Sequence, residues 1–245
     1  MAKKKRKGIG GIFILILLFI IAVTVALTVP VFNITSVTVT GNTQLTEEEI
    51  LEAANIPIGK NIYRVSMKDA RLRVEDMPYV LTAEVERRFP AKVVIEVTER
   101  TEAAAVKCDG GYAIVDPTCY VLRLTPSEED TMTVSGVKVE AAKPGEEIQI
   151  GEDRTVGEVT AMLEALEKAD MQVRLRRIRM DSMADIIVET QYGMEIHLGN
   201  MDELVYKLQL CKNILNGGYA GLHKESSGVL RWTNEGQFSY RQREN

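Results

Sequence analysis

Histidine is scarce in this chain: two in 245 residues, His197 and His223. His197 falls in an alternating stretch, and His223 in a polar loop running into Lys224-Glu225-Ser226-Ser227. Neither has the neighbours or spacing of a metal-ligand pair. The sequence also lacks G-x-S-x-G, H-E-x-x-H and a phosphate-cradling glycine loop, so a nucleophile elbow, zinc-assisted hydrolysis and nucleotide chemistry find no equipment here. The acid runs Glu47-Glu48-Glu49 and Glu128-Glu129-Asp130 offer carboxylates without a partner base. The first opens a helix, where the macrodipole favours acids, and the second lies in a loop. No catalytic residue, cofactor or metal is expected. The single tryptophan is Trp232. No internal repeat or low-complexity tract is present.

Charge is missing from one place in particular. Five basic residues, Lys3 to Lys7, run into Ile9–Val29, which holds no charged residue, and the next Lys or Arg is Lys60. At about 1.5 Å per residue this stretch makes roughly 30 Å of helix, the hydrocarbon thickness of a bilayer. A secretory leader is shorter in its apolar part and ends in a small-residue cleavage site. The nearest approximation, Ala22-Val23-Thr24, lies inside the run. The expectation is a basic cytoplasmic tail (1–8) and a retained single-pass transmembrane helix (9–30), with the body sent across the cytoplasmic membrane by the positive-inside rule. No ionisable group interrupts the helix, so an ion relay has nothing to run on.

The net charge of −5 includes five positive charges in the tail, so the body stands near −10. That sign repels nucleic acid and anionic headgroups. The one basic run in the body, RLRRIR with Arg174, Arg176, Arg177 and Arg179, is read as a solvated face, with an acidic partner as the alternative.

Beyond the apolar run, ITSVTVTGN alternates as a half-buried strand does and ends in a Gly-Asn turn. Thr46-Glu47-Glu48-Glu49 has the form of a capping box, with Ile50, Leu51 and Ala54 as the apolar face behind it. Ser66-Met67-Lys68-Asp69 opens a second helix carrying Ala70, Leu72, Val74 and Met77. YVLTAEVERR and AKVVIEVTER follow as strands about Phe89-Pro90, with Leu81, Ala83 and Val85 assigned to one face. The order is β-α-α-β-β.

Residues 101–241 mix strands with two helices. Ala104–Cys108, Gly111–Val115 and Cys119–Leu122 form a meander. Thr155 and Glu158 cap a helix with Val159, Met162, Leu163 and Leu166 inward. Asn200 and Glu203 are expected to cap another, with Met201, Leu204, Val205, Leu208, Cys211 and Leu215 on one side. Turns are expected at Gln191-Tyr192-Gly193 and at Asn234-Glu235-Gly236, and 242–245 make a short tail. The fold class is α+β: a transmembrane helix, the first unit at 32–100, and a second mixed domain with a mainly antiparallel sheet. Cys108 and Cys119 flank opposite ends of one short strand, about 13 Å apart, beyond the roughly 7 Å a disulfide spans. Free thiols are expected, with Cys211 in a core stripe.

VTVTGN, LTEEEI, IGKNIYRV and RRFPAKVVIEVTER, in that order behind an N-terminal anchor, resemble the POTRA module of the bacterial cell-division family FtsQ, called DivIB in Gram-positive bacteria. AAAVKCDGGYAIVDPTCYVL is similar to the family's first meander, with Cys119 at a turn position commonly glycine. The resemblance implies a non-enzymatic septal scaffold whose terminal strand edge binds FtsB/DivIC-like and FtsL-like bitopic proteins, with septal peptidoglycan synthases among further contacts. A family segment of the D-L-R-Y type, followed by a glycine turn and a last strand, is similar to Val229-Leu230-Arg231-Trp232 and Gly236–Tyr240. It implies Arg231, Trp232, Gly236, Phe238 and Tyr240 as partner-binding residues. Trp232 packing inside the domain stays open beside that role. A POTRA-bearing secretion or assembly factor and an extracytoplasmic cell-wall-binding module are the rival functions.

Overall fold

The computed structural model describes residues 9–151, 155–171, 175–217, 221–223, 225–233 and 235–242. The basic tail Lys3–Lys7, Arg174 of the basic run, Asn234 of the last turn and most of the C-terminal tail lie outside the described residues. The chain divides into two compact units, one ending at Glu99 and the other beginning at Arg100.

The first unit opens with α1 (Ile9–Thr28), a helical backbone of 20 residues. Side chains are described continuously over Gly11–Val25, and every one is exposed. Among the described residues no helix is long and apolar enough to cross a membrane: that continuous stretch rises only about 22 Å. Then come β1 (Ser36–Thr40), α2 (Glu47–Ala54), α3 (Met67–Glu75), β2 (Val80–Arg88) and β3 (Lys92–Glu99), with the strands ordered β1-β3-β2. β3 is central, parallel to β1 and antiparallel to β2.

Local chemistry explains each helix start. The Thr46 hydroxyl accepts from the Glu49 N–H, and the Glu49 carboxylate accepts from the Thr46 N–H, closing the capping box. Ser66 does half of this for α3, accepting from the Asp69 N–H. Ile50, Ala54, Val74, Ala83, Ile95 and Val97 bury the helices against the sheet. Two assignments from periodicity are corrected. Leu81 is half exposed, because a bulge between Val80 and Thr82 turns Val80 into the core instead. Leu72 is exposed too, since Ala70 and Val74 already fill the buried face of α3. Gly41 must be glycine: at φ +86 a Cβ would stand 2.1 Å from the Val97 carbonyl oxygen.

The second unit contains β4 (Ala104–Cys108), β5 (Gly111–Val115), β6 (Val121–Thr125), β7 (Thr133–Ser135), β8 (Val139–Ala141), β9 (Gln149–Ile150), α4 (Val156–Ala169), β10 (Leu175–Arg179), β11 (Ile186–Thr190), β12 (Met194–Gly199), α5 (Leu204–Leu215), β13 (Gly228–Trp232) and β14 (Phe238–Arg241). Among the described residues nine strands join in the order β14-β13-β12-β11-β10-β7-β4-β5-β6, and β8 pairs with β9. The pairings are mostly antiparallel, with β7–β10, β4–β7 and β12–β13 parallel. α4 and α5 supply Val159, Met162, Leu163, Leu208 and Cys211 to one continuous core with the sheet. Thr155 and Glu158 form the anticipated capping box. The start of α5 differs from expectation. Glu203 is its N-cap, but at φ 53 and with no side-chain cap bond, while Asn200 binds Lys207 and Asp202.

All three cysteines are free. Cys119 turns at φ +64, the left-handed geometry that glycine suits. Burial pushes its thiol up to about 11 and raises that of Cys211 as well. The basic run is absorbed by the sheet: Arg179 meets Glu189 at 2.8 Å and Arg177 meets Glu128 at 3.6 Å. The solvated-face reading is corrected for these two charges, which are half-buried and paired with acids of the same unit.

Glu99 closes the loop before α2. Its carboxylate accepts from the Thr43 hydroxyl at 2.6 Å and from the Gln44 and Leu45 N–H groups at 2.7 and 3.0 Å. Partial burial raises its pKa, but these hydrogen bonds together outweigh it and the net direction is down from 4.5. A depressed carboxylate stabilises the fold above its unfolded pKa, and that contribution is lost as pH falls through the folded value. Glu99→Gln should therefore cost about 1 kcal/mol at neutral pH, after solvent screening. It should also flatten the acid limb of stability below about pH 4.5. Urea titrations across pH check both.

Candidate functional site

β12, α5 and β13 make a β-α-β crossover, the connection that parallel neighbours require. β14 then returns antiparallel to β13 through a tight turn, with Gly236 at φ +75. The register pairs Trp232 with Phe238, Arg231 with Ser239, Leu230 with Tyr240 and Val229 with Arg241. Among the described residues β14 pairs only with β13, so it is the edge of the sheet.

The turn fixes which backbone groups are spent. The Thr233 N–H donates to the Gln237 carbonyl at 2.9 Å. Hydrogen-bonded pairs recur every second residue in an antiparallel ladder. Arg231–Ser239 and Val229–Arg241 are therefore bonded pairs, and the N–H and C=O groups of Phe238 and Tyr240 face the open side. At the opposite end of the sheet, β6 is partly covered: the Val121 N–H donates to the Glu146 carbonyl, and the Gly145 N–H to the Val121 carbonyl.

The side chains sort by face. Phe238 is 9% exposed and belongs to the core. Trp232 packs edge-on to Phe238 at 5.0 Å and to Tyr206 at 6.2 Å. Tyr240 lies on the same face, and its hydroxyl donates to the Ser227 carbonyl at 2.8 Å. All three aromatics are therefore on one side, since directly opposed residues share a face. The expectation of exposed aromatic anchors is corrected for Phe238, which packs internally, while Trp232 and Tyr240 are half-buried. Gly228 is squeezed beneath this hairpin: at φ +132 a Cβ would come within 2.7 Å of the Arg241 carbonyl oxygen.

Arg231 is exposed on the other face. It reaches Asp185 and His197, each at 3.4 Å, while His197 Nδ1 lies 2.7 Å from Asp185. A tautomer donating from Nδ1 to Asp185 and accepting at Nε2 from Arg231 satisfies the group. Asp185 and the role of His197 were missed from sequence, because the three residues meet only through strand pairing. Lys207 was missed for the opposite reason: it interrupts an apolar stripe yet is 2% exposed. Its ammonium donates to Asn200 O and Oδ1 at 3.0 and 3.1 Å and stands 5.7 Å from the Trp232 ring centroid. Burial lowers its pKa, against the pull of Asp202 and Glu203.

A separate cleft of about 980 Å³ is lined by Glu102, Glu128, Glu129, Met132, Leu163 and Arg176, among others. Three of its acids are engaged: Arg123 holds Glu102 and Glu129, and Thr133 donates to Glu128. Among the described residues no group of His, Cys, Asp and Glu could hold a metal ion.

The architecture defines the class first: an α+β protein whose first unit is a β-α-α-β-β module followed by a mixed-sheet unit with an open terminal edge. Residues 32–100 match the family described as POTRA domain, FtsQ-type. The chain is 28% identical over 216 residues to the cell division protein DivIB of Clostridium botulinum strain Hall, covering 87% of this chain and 84% of that one. It is 26% identical over 202 residues to DivIB of Clostridium tetani, covering 82% and 76%. It is 25% identical over 191 residues to the cell division protein FtsQ of Corynebacterium glutamicum, covering 77% and 81%. The chain thus carries an FtsQ-type POTRA domain and is a relative, over most of its length, of the DivIB and FtsQ cell-division proteins.

Phe238→Ala should lower the unfolding free energy by about 3 kcal/mol, the cost of emptying a core aromatic site. Arg231→Ala, at an exposed position, should stay within about 1 kcal/mol of the parent. Chemical denaturation of both variants checks the division of the hairpin into a packed face and a free one.

Proposed function

We propose that this protein acts in bacterial cell division as a membrane-anchored, non-catalytic scaffold that captures a partner by adding its strand to β14. The single observation that carries the reading is the one-sided pairing of β14, in a relative of DivIB and FtsQ. An unpaired edge templates another strand. The partners proposed are FtsB/DivIC-like and FtsL-like bitopic proteins, at the septum on the outer side of the cytoplasmic membrane. α1 is the proposed anchor, supported by its 20 residues without a charge and its exposed described side chains.

Magnitudes decide what the edge must do. Two residues of β14 offer a few backbone hydrogen bonds, each worth about 0.5–1.5 kcal/mol net. Association costs an estimated 4–15 kcal/mol. Backbone pairing alone is insufficient, so side chains beside the edge must contribute. With Phe238 internal, the proposed contributors are Arg231, Trp232 and Tyr240, with Gly236 shaping the turn.

The test separates backbone from side chain. Tyr240→Pro removes the outward N–H and the phenol; Tyr240→Ala removes the phenol alone. Capture of FtsB/DivIC-like protein from native membranes by the tagged full chain should fall about tenfold further for the proline variant, near the 1.4 kcal/mol of one lost edge bond and its geometry. Equal capture by the two variants would sink strand addition. Failure of the parent chain to retain any such protein would sink the division reading.

A further inference from the structure

The first unit is electrically divided. Three segments come together where α1 hands over to the folded module: residues 29–34, 56–65 and 87–92. The Ile34 N–H donates to the Lys60 carbonyl, the Gly59 N–H to the Ile34 carbonyl, and the Thr35 N–H to the Ala91 carbonyl. Arg87 binds the Ile62 and Val65 carbonyls from β2. These segments contain Lys60, Arg64, Arg87, Arg88 and Lys92 and no acid. The rest of the module, residues 35–55, 66–86 and 93–99, holds eleven acids against three bases. One of those acids, Glu86, pairs with Arg88.

The same end is apolar as well as cationic. Val31, Ile58, Tyr63 and Phe89 are 54%, 61%, 45% and 58% exposed. Tyr63 stacks on Phe89 at 5.5 Å and meets Phe32 edge-on at 5.5 Å. Aromatic rings with basic side chains, presented in the first residues past an apolar helix, are what the headgroup zone of a bilayer accepts: the rings enter the interface and the long cations reach phosphate. The acidic remainder is repelled from the same surface, which gives the module one preferred orientation.

We infer that the α1-proximal end of the POTRA module, built on Tyr63, Phe89, Ile58, Lys60, Arg64 and Arg88, is a seat on anionic phospholipid headgroups. The inference rests on the reading of α1 as a membrane anchor. It concerns a face distinct from the β14 edge, and a lipid surface instead of a protein strand.

Fluorescence depth probing of the full chain tests it. In a Trp232→Phe background, Tyr63→Trp or Phe89→Trp places a sole tryptophan at the seat. Tyr79→Trp places it at the far end of the β2–β3 hairpin, roughly 30 Å away. The chain is reconstituted in vesicles of phosphatidylglycerol and phosphatidylcholine carrying a headgroup nitroxide lipid. Quenching at position 63 or 89 should exceed that at 79 severalfold, and should fall in phosphatidylcholine alone. Lys60→Gln and Arg64→Gln should each lower the seated-to-lifted ratio roughly fivefold, the weight of one basic residue near an anionic surface. Vesicle flotation with equal, weak quenching at all three positions overturns the seat and leaves the anchor intact. A tryptophan at 63 or 89 shielded from acrylamide but untouched by the nitroxide assigns the face to a protein and also overturns it. A chain that does not float with the vesicles overturns the anchor itself, and the seat with it.

Discussion

A strand's backbone has two hydrogen-bonding sides, and among the described residues β14 has its pairing satisfied on one. The parallel pairing of β12 with β13 holds the hairpin in the sheet, and α5 covers its inner face. Trp232, Phe238 and Tyr240 spend their rings on the molecule's own core or beside it. What the outside meets is backbone, flanked by Arg231 on one face and by the half-buried Trp232 and Tyr240 on the other. In the proposed strand addition, an edge already paired on its inner side loses little further ordering entropy, which is the condition for backbone bonds to count in binding.

The polar group behind Arg231 serves the same end. His197 and Asp185 hold a guanidinium that would otherwise wander over a solvent-exposed strand. On the other face, Lys207 ties the β12–α5 loop to the underside of Trp232 by a buried ammonium. A buried cation is costly unless its donors are used, and here two go to Asn200. Both devices tie down side chains next to the edge.

Charge plays the corresponding part in the first unit. Concentrating cations and aromatics at the helix-proximal end, and acids in the remainder, builds a dipolar body behind an apolar helix. Its fold is ordinary for the class: capped helices on a three-stranded sheet, with β3 in the middle. The distribution of surface charge, which contributes little to the core, is where a module of this kind has freedom to acquire an orientation.

Much of this was legible in one dimension. Capping boxes at Thr46 and Thr155, strand alternation, the glycine turns and the uncharged N-terminal run follow from interactions between residues a few positions apart, so the sequence determined those elements and the family kinship they carry. Periodicity failed where distant residues competed for one site, as when a bulge put Val80 in the core and left Leu81 outside. The resemblance likewise did not show that Phe238 is buried, packed edge-on to Trp232. Only the tertiary structure decided that β14 ends the sheet, that Arg231 meets Asp185 and His197, and that five scattered cations share one end of the first module. Strand order and face-to-face packing are set by long-range contacts that no local pattern encodes.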